Sequence, residues 1–405
     1  MLDEQGGLHL PPALRQSRSF LDGLDLWASL LHQPPDLPVS LPFHGGWFLF
    51  FGYEFVEQIE PTLKLPPYLY PFPKALAVRC PAALVLDHST GTLYGVIERD
   101  HPAYEQAMDR LLKLVGSTTG QQSAVITPGV TVDEDDPNTY LNQVIRIKDY
   151  IRAGDVFQVN LSREWRMHFS AAISPGDLYY RLTQENPAPF SGLVYWGDSA
   201  LISSSPERLV ASRGGRVQTR PIAGTRPRAL DPAHDDRLAQ ELMAHPKERA
   251  EHRMLIDLER NDLGRICVPG SIRVNELMAL ESYAHVHHIV SNIVGTLKPG
   301  VTPGALVRAV FPGGTITGCP KVRCMEIIAE LEACSRGPYT GSMGYMNRDA
   351  SLDLNILIRT LHCRQNELRL RAGAGIVADS EPQSELEETR AKAKGLLRAL
   401  NLAPD

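Results

Sequence analysis

Two stretches that read as helices carry carboxylates at stacked positions. In HPKERAEHRMLIDLERND, Glu248 and Glu251 stand three residues apart, and in EPQSELEETRAKAK so do Glu385 and Glu388. Residues at this spacing share one helix face. Such pairs are commonly solvated faces with Lys and Arg partners, and Lys392 follows Glu388 by four residues. If the two helices face each other across a pocket, however, their carboxylates make a hard oxygen site suited to Mg²⁺. Local sequence leaves both readings open.

Three further positions carry chemistry for an anion. RPIAGTRPR, Arg220 to Arg228, sets three arginines around what reads as a Gly224-Thr225 turn, with Ala223 inert at its centre. A multiply charged anion needs such cations. Arg359, in the strand-like NILIRTL, stands inside an apolar alternation; a buried guanidinium demands an anionic partner, either a bidentate carboxylate ligand or an ordinary internal ion pair. Glu207, in SSSPERL, follows a proline at a strand end. An isolated acid in a cleft serves as a proton donor there if its pKa is raised.

Other signals are weaker. FPGGTITGCPK has Gly313 and Gly318 at the separation of a nucleotide phosphate loop, but Cys319 and Pro320 stand where Lys and Ser or Thr must follow. That excludes the loop and leaves a glycine turn before a helix starting at Pro320, whose N-terminus could help hold an anion. AGAGIVAD, Ala372 to Asp379, reads as a small-residue loop after a strand. It lacks the third glycine of a dinucleotide fingerprint, and either lets backbone N–H groups approach a carboxylate or is a simple bend. In the run His285, Val286, His287, His288, a strand puts His288 on the more apolar face with Val290 and Val294. Further zinc ligands are not evident nearby, so a buried His288 near a pocket is the preferred reading.

The elements that must position these groups follow from texture. The 405 residues exceed a usual single core, so two domains or one two-lobed domain are expected. Net charge of -6, with no basic tract, argues against nucleic acid. The acidic start MLDEQGG and the absence of a long apolar run point to a cytoplasmic protein with no membrane contact. Six cysteines without a C-x-x-C pair suggest reduced thiols. Residues 1–130, rich in proline and aromatics, favour strands and turns over long helices and are expected to be part of one two-lobed fold, with the polar stretch from Gly116 to Asp136 as the linker to a catalytic region over 131–405. There Asp136 and Pro137 start a helix that Gly154 stops, and a strand follows from Val156 to Leu161. Helical pieces near 233–260, 303–310, 321–333 and 383–400 alternate with strand-like ones, among them LDLNILIRTLHC and HHIVSNIVGTL. Lacking a regular β-helix-β rhythm, they predict an α/β (α+β) chain of mixed antiparallel sheets covered by helices.

Taken together, GDVFQVNLS, SSPERL, RPIAGTRPR, HPKERAEHRMLIDLERNDLGR, FPGGTITGCPKVRCMEII, RGPYTGSMGY and GAGIVADSEPQSELEETRAKA resemble the chorismate-utilising enzymes in order and spacing. The resemblance spans roughly residues 135–400 and is highly specific. It implies two facing, mostly antiparallel sheets with helices outside, and chorismate bound with Mg²⁺. Carried over residue by residue, it implies Glu251 and Glu388 as metal ligands with Glu248 and Glu385 close by. Chorismate would be held by Gly224, Thr225, Tyr339, Arg359 and the backbone of Gly373, Ala374 and Gly375. Glu207 matches the acid that protonates the departing C4 hydroxyl, and His288 a pocket histidine.

The family hydrates or aminates the ring. Gln158 stands where the hydrating branch has a water-activating lysine, so amination by ammonia is implied. NPAPFSG, FQVNLS and FPGGTITG resemble the aminodeoxychorismate synthase branch, which leads to para-aminobenzoate and folate. Ala223 departs from that branch's lysine nucleophile, and PIAGT is anthranilate synthase wording. Ammonia itself could attack C2, with a second ammonia displacing at C4, in the room the alanine leaves. No cysteine sits in the tight turn of a glutaminase, so a separate glutamine amidotransferase subunit is expected. Cys319 and Cys324 replace alanines and are expected to be small buried thiols. The alternatives are an anthranilate synthase component I and an idle chorismate- or tryptophan-binding protein.

Overall fold

Capping side chains and prolines set where the helices begin. Asp136, Ser174, Asp231 and Thr302 each accept a backbone N–H at the start of a helix whose first residue is proline. A computed structural model describes residues 1–34, 40–116, 129–229, 231–283 and 286–402. Its helices are α1 (Phe20–Leu30), α2 (Tyr104–Gly116), α3 (Pro137–Arg152), α4 (Pro175–Glu185), α5 (Pro232–Ala244), α6 (Pro246–Gly264), α7 (Pro303–Val310), α8 (Lys321–Glu332) and α9 (Pro382–Ala399). The stretch near 233–260 is thus two helices. His245 ends α5 and caps α6 through Nδ1, and Pro246 cannot continue the first ladder. Pro320 is the cap before α8 rather than its first turn.

The larger sheet contains β1 (Gly46–Phe51), β2 (Ala75–Cys80), β9 (Arg208–Arg213), β10 (Arg216–Arg220), β11 (Ile222–Pro227), β12 (Arg273–Ser282), β13 (Val286–Thr296), β15 (Ser342–Asn347) and β16 (Leu352–Asn355). The smaller contains β5 (Val130–Glu134), β6 (Gln158–Phe169), β7 (Phe190–Trp196), β8 (Ser199–Ser205), β14 (Gly318–Cys319), β17 (Thr360–Arg364) and β18 (Glu367–Ile376). A hairpin of β3 (Ala82–Asp87) and β4 (Thr92–Ile97) stands apart. The neighbours described pair antiparallel, for example β6 with β18 and β11 with β13. Phe50, Leu76 and Met343 of the larger sheet meet Leu201 of the smaller in one buried cluster, which lies between the facing sheets. Helices α1, α6 and α7 pack on the outside of the larger sheet, while α3, α4, α8 and α9 cover the smaller. No described helix is long and apolar enough to cross a membrane.

Several expectations are corrected here. Among the described residues of the first 130, the helices α1 and α2, of 11 and 13 residues, stand beside the strands; β1 lies between β15 and β2 inside the larger sheet. The strand expected over Val156–Leu161 runs from Gln158 to Phe169. Of the polar linker, Val130–Glu134 is an edge strand on β6, and residues 117–128 lie outside the described residues. LDLNILIRTLHC is not one strand. β16 belongs to the larger sheet and β17 to the smaller, so the chain crosses between sheets at residues 356–359.

A second crossing runs beside it, because β8 of the smaller sheet passes through Pro206 and Glu207 into β9 of the larger. The two segments are stitched together. Ile356 N–H donates to the Glu207 carbonyl (3.0 Å), Ser204 N–H to the Arg359 carbonyl (3.1 Å), and the Ser205 hydroxyl to the Ile356 carbonyl (2.5 Å). Thr340 N–H donates to the Leu357 carbonyl and Leu357 N–H to the Gly341 carbonyl, both at 2.8 Å, which adds the Tyr339 segment to the same seam.

Beneath the seam lies a buried charge network. Glu332 accepts from Arg336 at 2.6 and 2.9 Å, from Arg371 at 3.2 Å, and from the Ser162 N–H and hydroxyl at 2.8 Å each. The two arginines hold its carboxyl below the usual range despite burial. Arg336 also donates to the carbonyls of Asn160 and Ile316, tying α8 to β6. Removing one member leaves uncompensated charge, which typically costs about 3–5 kcal/mol. Glu332→Ala is therefore expected to lower the urea midpoint by that equivalent, whereas exposed Glu387→Ala leaves it nearly unchanged.

Candidate active site

The two crossings deliver an acid and a cation to one cavity of about 200 Å³, lined by Glu207, Arg359, His288, Tyr339 and the four stacked glutamates. That size admits one small ring compound. Glu207 is 4 % exposed, its Oε1 accepts weakly from the Ile222 N–H (3.4 Å), and the Thr315 hydroxyl lies beside it. Burial pushes its pKa up to about 7. A carboxyl poised there holds a proton and can release it near neutrality.

Arg359 has φ of +53°, a left-handed conformation forced where the chain turns from one sheet into the next. Among the described residues its guanidinium makes no hydrogen bond or ion pair, and it lines the cavity. Burial lowers its pKa, while Tyr339, Glu207 and Glu388 oppose that effect. A cation so placed is completed by an anion from outside the chain.

His288, on β13, is buried and contacts the Thr225 hydroxyl (3.0 Å) and the Gly224 carbonyl (3.2 Å) through Nδ1. Burial and the Arg359 charge push it down to about 4, so the imidazole is neutral at pH 7. His287, one residue earlier, points elsewhere and meets Asp235 at 3.0 Å. His285 lies outside the described residues.

The stretch holding Ala223, Gly224 and Thr225 is strand β11 with a register shift, not a turn. Gly224 has φ of +71°, and a Cβ there would come within 3.0 Å of the Glu248 carboxylate. Ala223 lines the cavity. The three arginines are largely spent on protein carboxylates: Arg220 on Glu276 and Glu281, Arg226 on Glu248, Arg228 on Asp235. Only Arg226 of the three lines the cavity. Arg359 also lines it, without such a carboxylate partner among the described residues.

Ala372 to Ile376 of AGAGIVAD is likewise strand, the end of β18, and period two splits its roles. Ser162 and Asn160 of β6 turn their N–H groups away from β18, to Glu332 and to the Thr317 carbonyl. Their partners in register, Gly373 and Gly375, therefore present their own N–H groups to the opposite edge, which β17 leaves open because it pairs only through Leu370. Lys392 already reaches that edge and donates to the Gly373 carbonyl at 2.9 Å. Side chains do not fit at these glycines. A Cβ on Gly373 would lie 2.8 Å from both the Tyr339 hydroxyl and Asn160 Oδ1, and one on Gly375 would strike Gln158. Ala374 is the exception to the expected set: its side chain packs in the core with Leu161 and Ile376, and its backbone pairs with β6.

The comparisons with known proteins agree with this geometry. Residues 13–398 match the family model described as chorismate binding enzyme. The chain belongs to the chorismate-binding enzymes. An anthranilate synthase component I-like protein of Synechocystis is 44% identical over 367 residues, 90% of this chain and 74% of that one. Aminodeoxychorismate synthase component 1 of Bacillus subtilis is 41% identical, covering 92% and 79%. The crystal structure of anthranilate synthase component I from Streptococcus pneumoniae superposes with a TM-score of 0.82 at 33% identity, over 92% of this chain and 85% of that one. This protein is thus a chorismate-utilising enzyme of the anthranilate and aminodeoxychorismate synthase class.

Whether the cavity suits Mg²⁺ depends on its donors. Glu248 and Glu251 enter from α6, Glu385 and Glu388 from α9, all carboxylates and all lining one cavity. Such a hard oxygen set fits the ion chemically. Positive charge already meets two of them, Arg226 at Glu248 (3.1 Å) and Lys392 at Glu388 (2.6 Å). No three of the described His, Cys, Asp or Glu side chains are gathered at ligating distance in these side-chain positions.

Sequence reasoning passed over Asn160, Thr315 and Lys392 as lining residues. Period two from Gln158 would have found Asn160. Thr315 joins only through tertiary packing. Cys324 is fully buried with its thiol on the Gln158 carbonyl, and Cys319 is half-buried. Arg359→Met is expected to raise the chorismate dissociation constant by roughly 10² fold, the worth of a charge-assisted bidentate contact, with the unfolding midpoint nearly unchanged, as isothermal titration and urea melts would show.

Proposed function

We propose that the enzyme aminates chorismate with ammonia to 4-amino-4-deoxychorismate, in the presence of Mg²⁺. The observation that supports this most is the pairing of a proton-holding Glu207 with Arg359 across one cavity that offers no basic side chain at Gln158 or Ala223. Arg359 and the open N–H edge at Gly373 and Gly375 bind the carboxylates of the substrate. His288, neutral, orients the ring by hydrogen bonding. Bound by Glu251 and Glu388, with Glu248 and Glu385 close by, Mg²⁺ would neutralise the ring carboxylate and withdraw electron density from the ring.

The proton account closes within the site. Ammonia forms the bond to C2 as the C4–O bond breaks, and Glu207 gives its proton to the departing hydroxyl, which leaves as water. The new ammonium group returns a proton to the Glu207 carboxylate. A second ammonia then bonds C4 as the C2–N bond breaks, Glu207 again supplies the proton that lets the first nitrogen leave as ammonia, and the new C4 ammonium returns a proton to Glu207. Ala223 leaves space for these small nucleophiles. The ammonia would come from glutamine through a separate amidotransferase subunit, and the product would serve para-aminobenzoate formation.

For the branch, NPAPF supports aminodeoxychorismate. Phe190 lies under the Arg208 guanidinium (5.1 Å), which itself forks onto Asp353. A second reading, anthranilate and pyruvate as products, is favoured by Ala223 and by the anthranilate synthases among the relatives. Chorismate, Mg²⁺ and ammonium salt are expected to give 4-amino-4-deoxychorismate by chromatography; anthranilate fluorescence in its place would establish the second reading.

Two variants probe the machinery. Glu251→Ala is expected to abolish Mg²⁺-dependent turnover while the circular dichroism spectrum stays intact, and full activity would remove the metal assignment. Glu207 must be protonated to act, so at fixed free ammonia kcat is expected to be level below about pH 7 and to fall tenfold per unit well above it. Glu207→Gln lowers kcat by roughly 10²–10⁴ fold.

A further inference from the structure

One buried acid of the N-terminal region has no part in the chemistry just described. Glu54 lies in the 3₁₀ turn Tyr53–Gln58 that follows β1, and it is 2 % exposed. Its Oε1 accepts the Arg336 N–H at 2.6 Å, and the Gly337 N–H donates to Oε2 at 3.0 Å and to Oε1 at 3.3 Å. Tyr53 N–H donates in turn to the Gly337 carbonyl at 2.8 Å. Two neighbouring residues from the start of the chain thus grip one short segment, which continues through Pro338 into Tyr339.

That segment does not hold its own shape. Gly337 has φ of +61° and the β-branched Thr340 φ of +62°. Backbone in this region persists only where its surroundings over-determine it. The Arg336 guanidinium adds a second tie, because it lies over the rings of both Tyr53 (5.0 Å) and Tyr339 (5.6 Å). Tyr339 is itself enclosed, and among the described residues its hydroxyl makes no hydrogen bond. Burial raises its pKa, so the phenol keeps its proton as a donor at the cavity wall. It stands beside Gly373, on the open N–H edge of β18.

We infer that Glu54 is a positioning residue: by holding the Arg336 and Gly337 N–H groups it fixes where the Tyr339 hydroxyl stands, and so how tightly the substrate carboxylate at that edge is bound. A carboxylate that accepts on both oxygens sets the distance and the orientation of the segment together. Burial pushes Glu54 up to about 7, while the N–H groups it accepts and Lys74 favour its charge. Arg359 keeps its own anchors, in the bond from Ser204 and in that from Ile356 to Glu207. Tyr339 is therefore the contact that a loosened segment disturbs first.

This deepens the binding side of the proposed function and rests on Tyr339 as a substrate contact. Glu54→Gln keeps the shape but sets an amide N–H against two backbone N–H groups. At about pH 8, above the Glu54 transition, the calorimetric chorismate Kd is expected to rise about tenfold, with kcat nearly unchanged. In Tyr339→Phe, which is expected to raise the Kd by itself, adding Glu54→Gln should weaken binding little further. Effects that multiply instead mean that Glu54 acts on the fold at large, and they overturn the proposal. A fluorine NMR signal from 3-fluorotyrosine introduced at Tyr339, recorded without substrate, separates the positioning from the binding. It is expected to move in Glu54→Gln, and an unmoved signal in the folded variant sinks the proposal whatever Tyr339 binds. A moved signal with no effect of Tyr339→Phe on the Kd removes the substrate contact and, with it, the inference that Glu54 tunes binding. Should Glu54→Gln fail to fold, Tyr53→Leu takes its place: loss of the ring under Arg336 is expected to move the same signal, and an unmoved one counts against the proposal.

Discussion

Two strand-to-strand crossings, hydrogen-bonded to each other between facing sheets, are what the site depends on. Each crossing must leave one pleated surface and enter another, so its residues cannot spend their side chains on the cross-strand packing that occupies a strand. Glu207 and Arg359 occupy these positions, and the bonds from Ile356 to Glu207 and from Ser204 to Arg359 fix their backbones relative to each other. The seam to Leu357 brings Tyr339 with them. Acid and cation therefore share one rigid unit while their side chains face a common space.

Electrostatics in that space follow from burial. The same low-polarity surroundings raise the acid and lower the imidazole, so Glu207 keeps a proton and His288 loses one near pH 7. Among the described residues the Arg359 guanidinium makes no ion pair, which leaves an anion as its natural complement. The network of Glu332, Arg336 and Arg371 differs: there every charge is answered within the protein, and its effect is to anchor β6 and β18. Charge left unanswered marks the site, and charge fully answered marks the frame.

How much was legible in the sequence varies with the range of the forces involved. Helix starts at Asp136 and Thr302 depend on side chains bonding two or three residues away, and local residues suffice to show them. The break at His245–Pro246 was also local, yet uniform helical periodicity on both sides concealed it. Strand boundaries around Arg359 were not legible. The apolar residues of NILIRTL are buried on both sides of the crossing, so hydrophobicity does not register the change of sheet. The arginines of RPIAGTRPR misled for a related reason: their carboxylate partners lie up to 61 residues away.

By itself, the sequence determined the family, the antiparallel α/β frame and the residue types able to hold an anion and a divalent ion, because motif order and capping chemistry reside in short, contiguous stretches. Tertiary structure decided which of those residues meet. It joined α6 to α9 over one cavity and gave Gly373 and Gly375 an open edge while turning Ala374 into the core. Burial and strand pairing between distant segments produce those facts, and neither is a property of any segment alone.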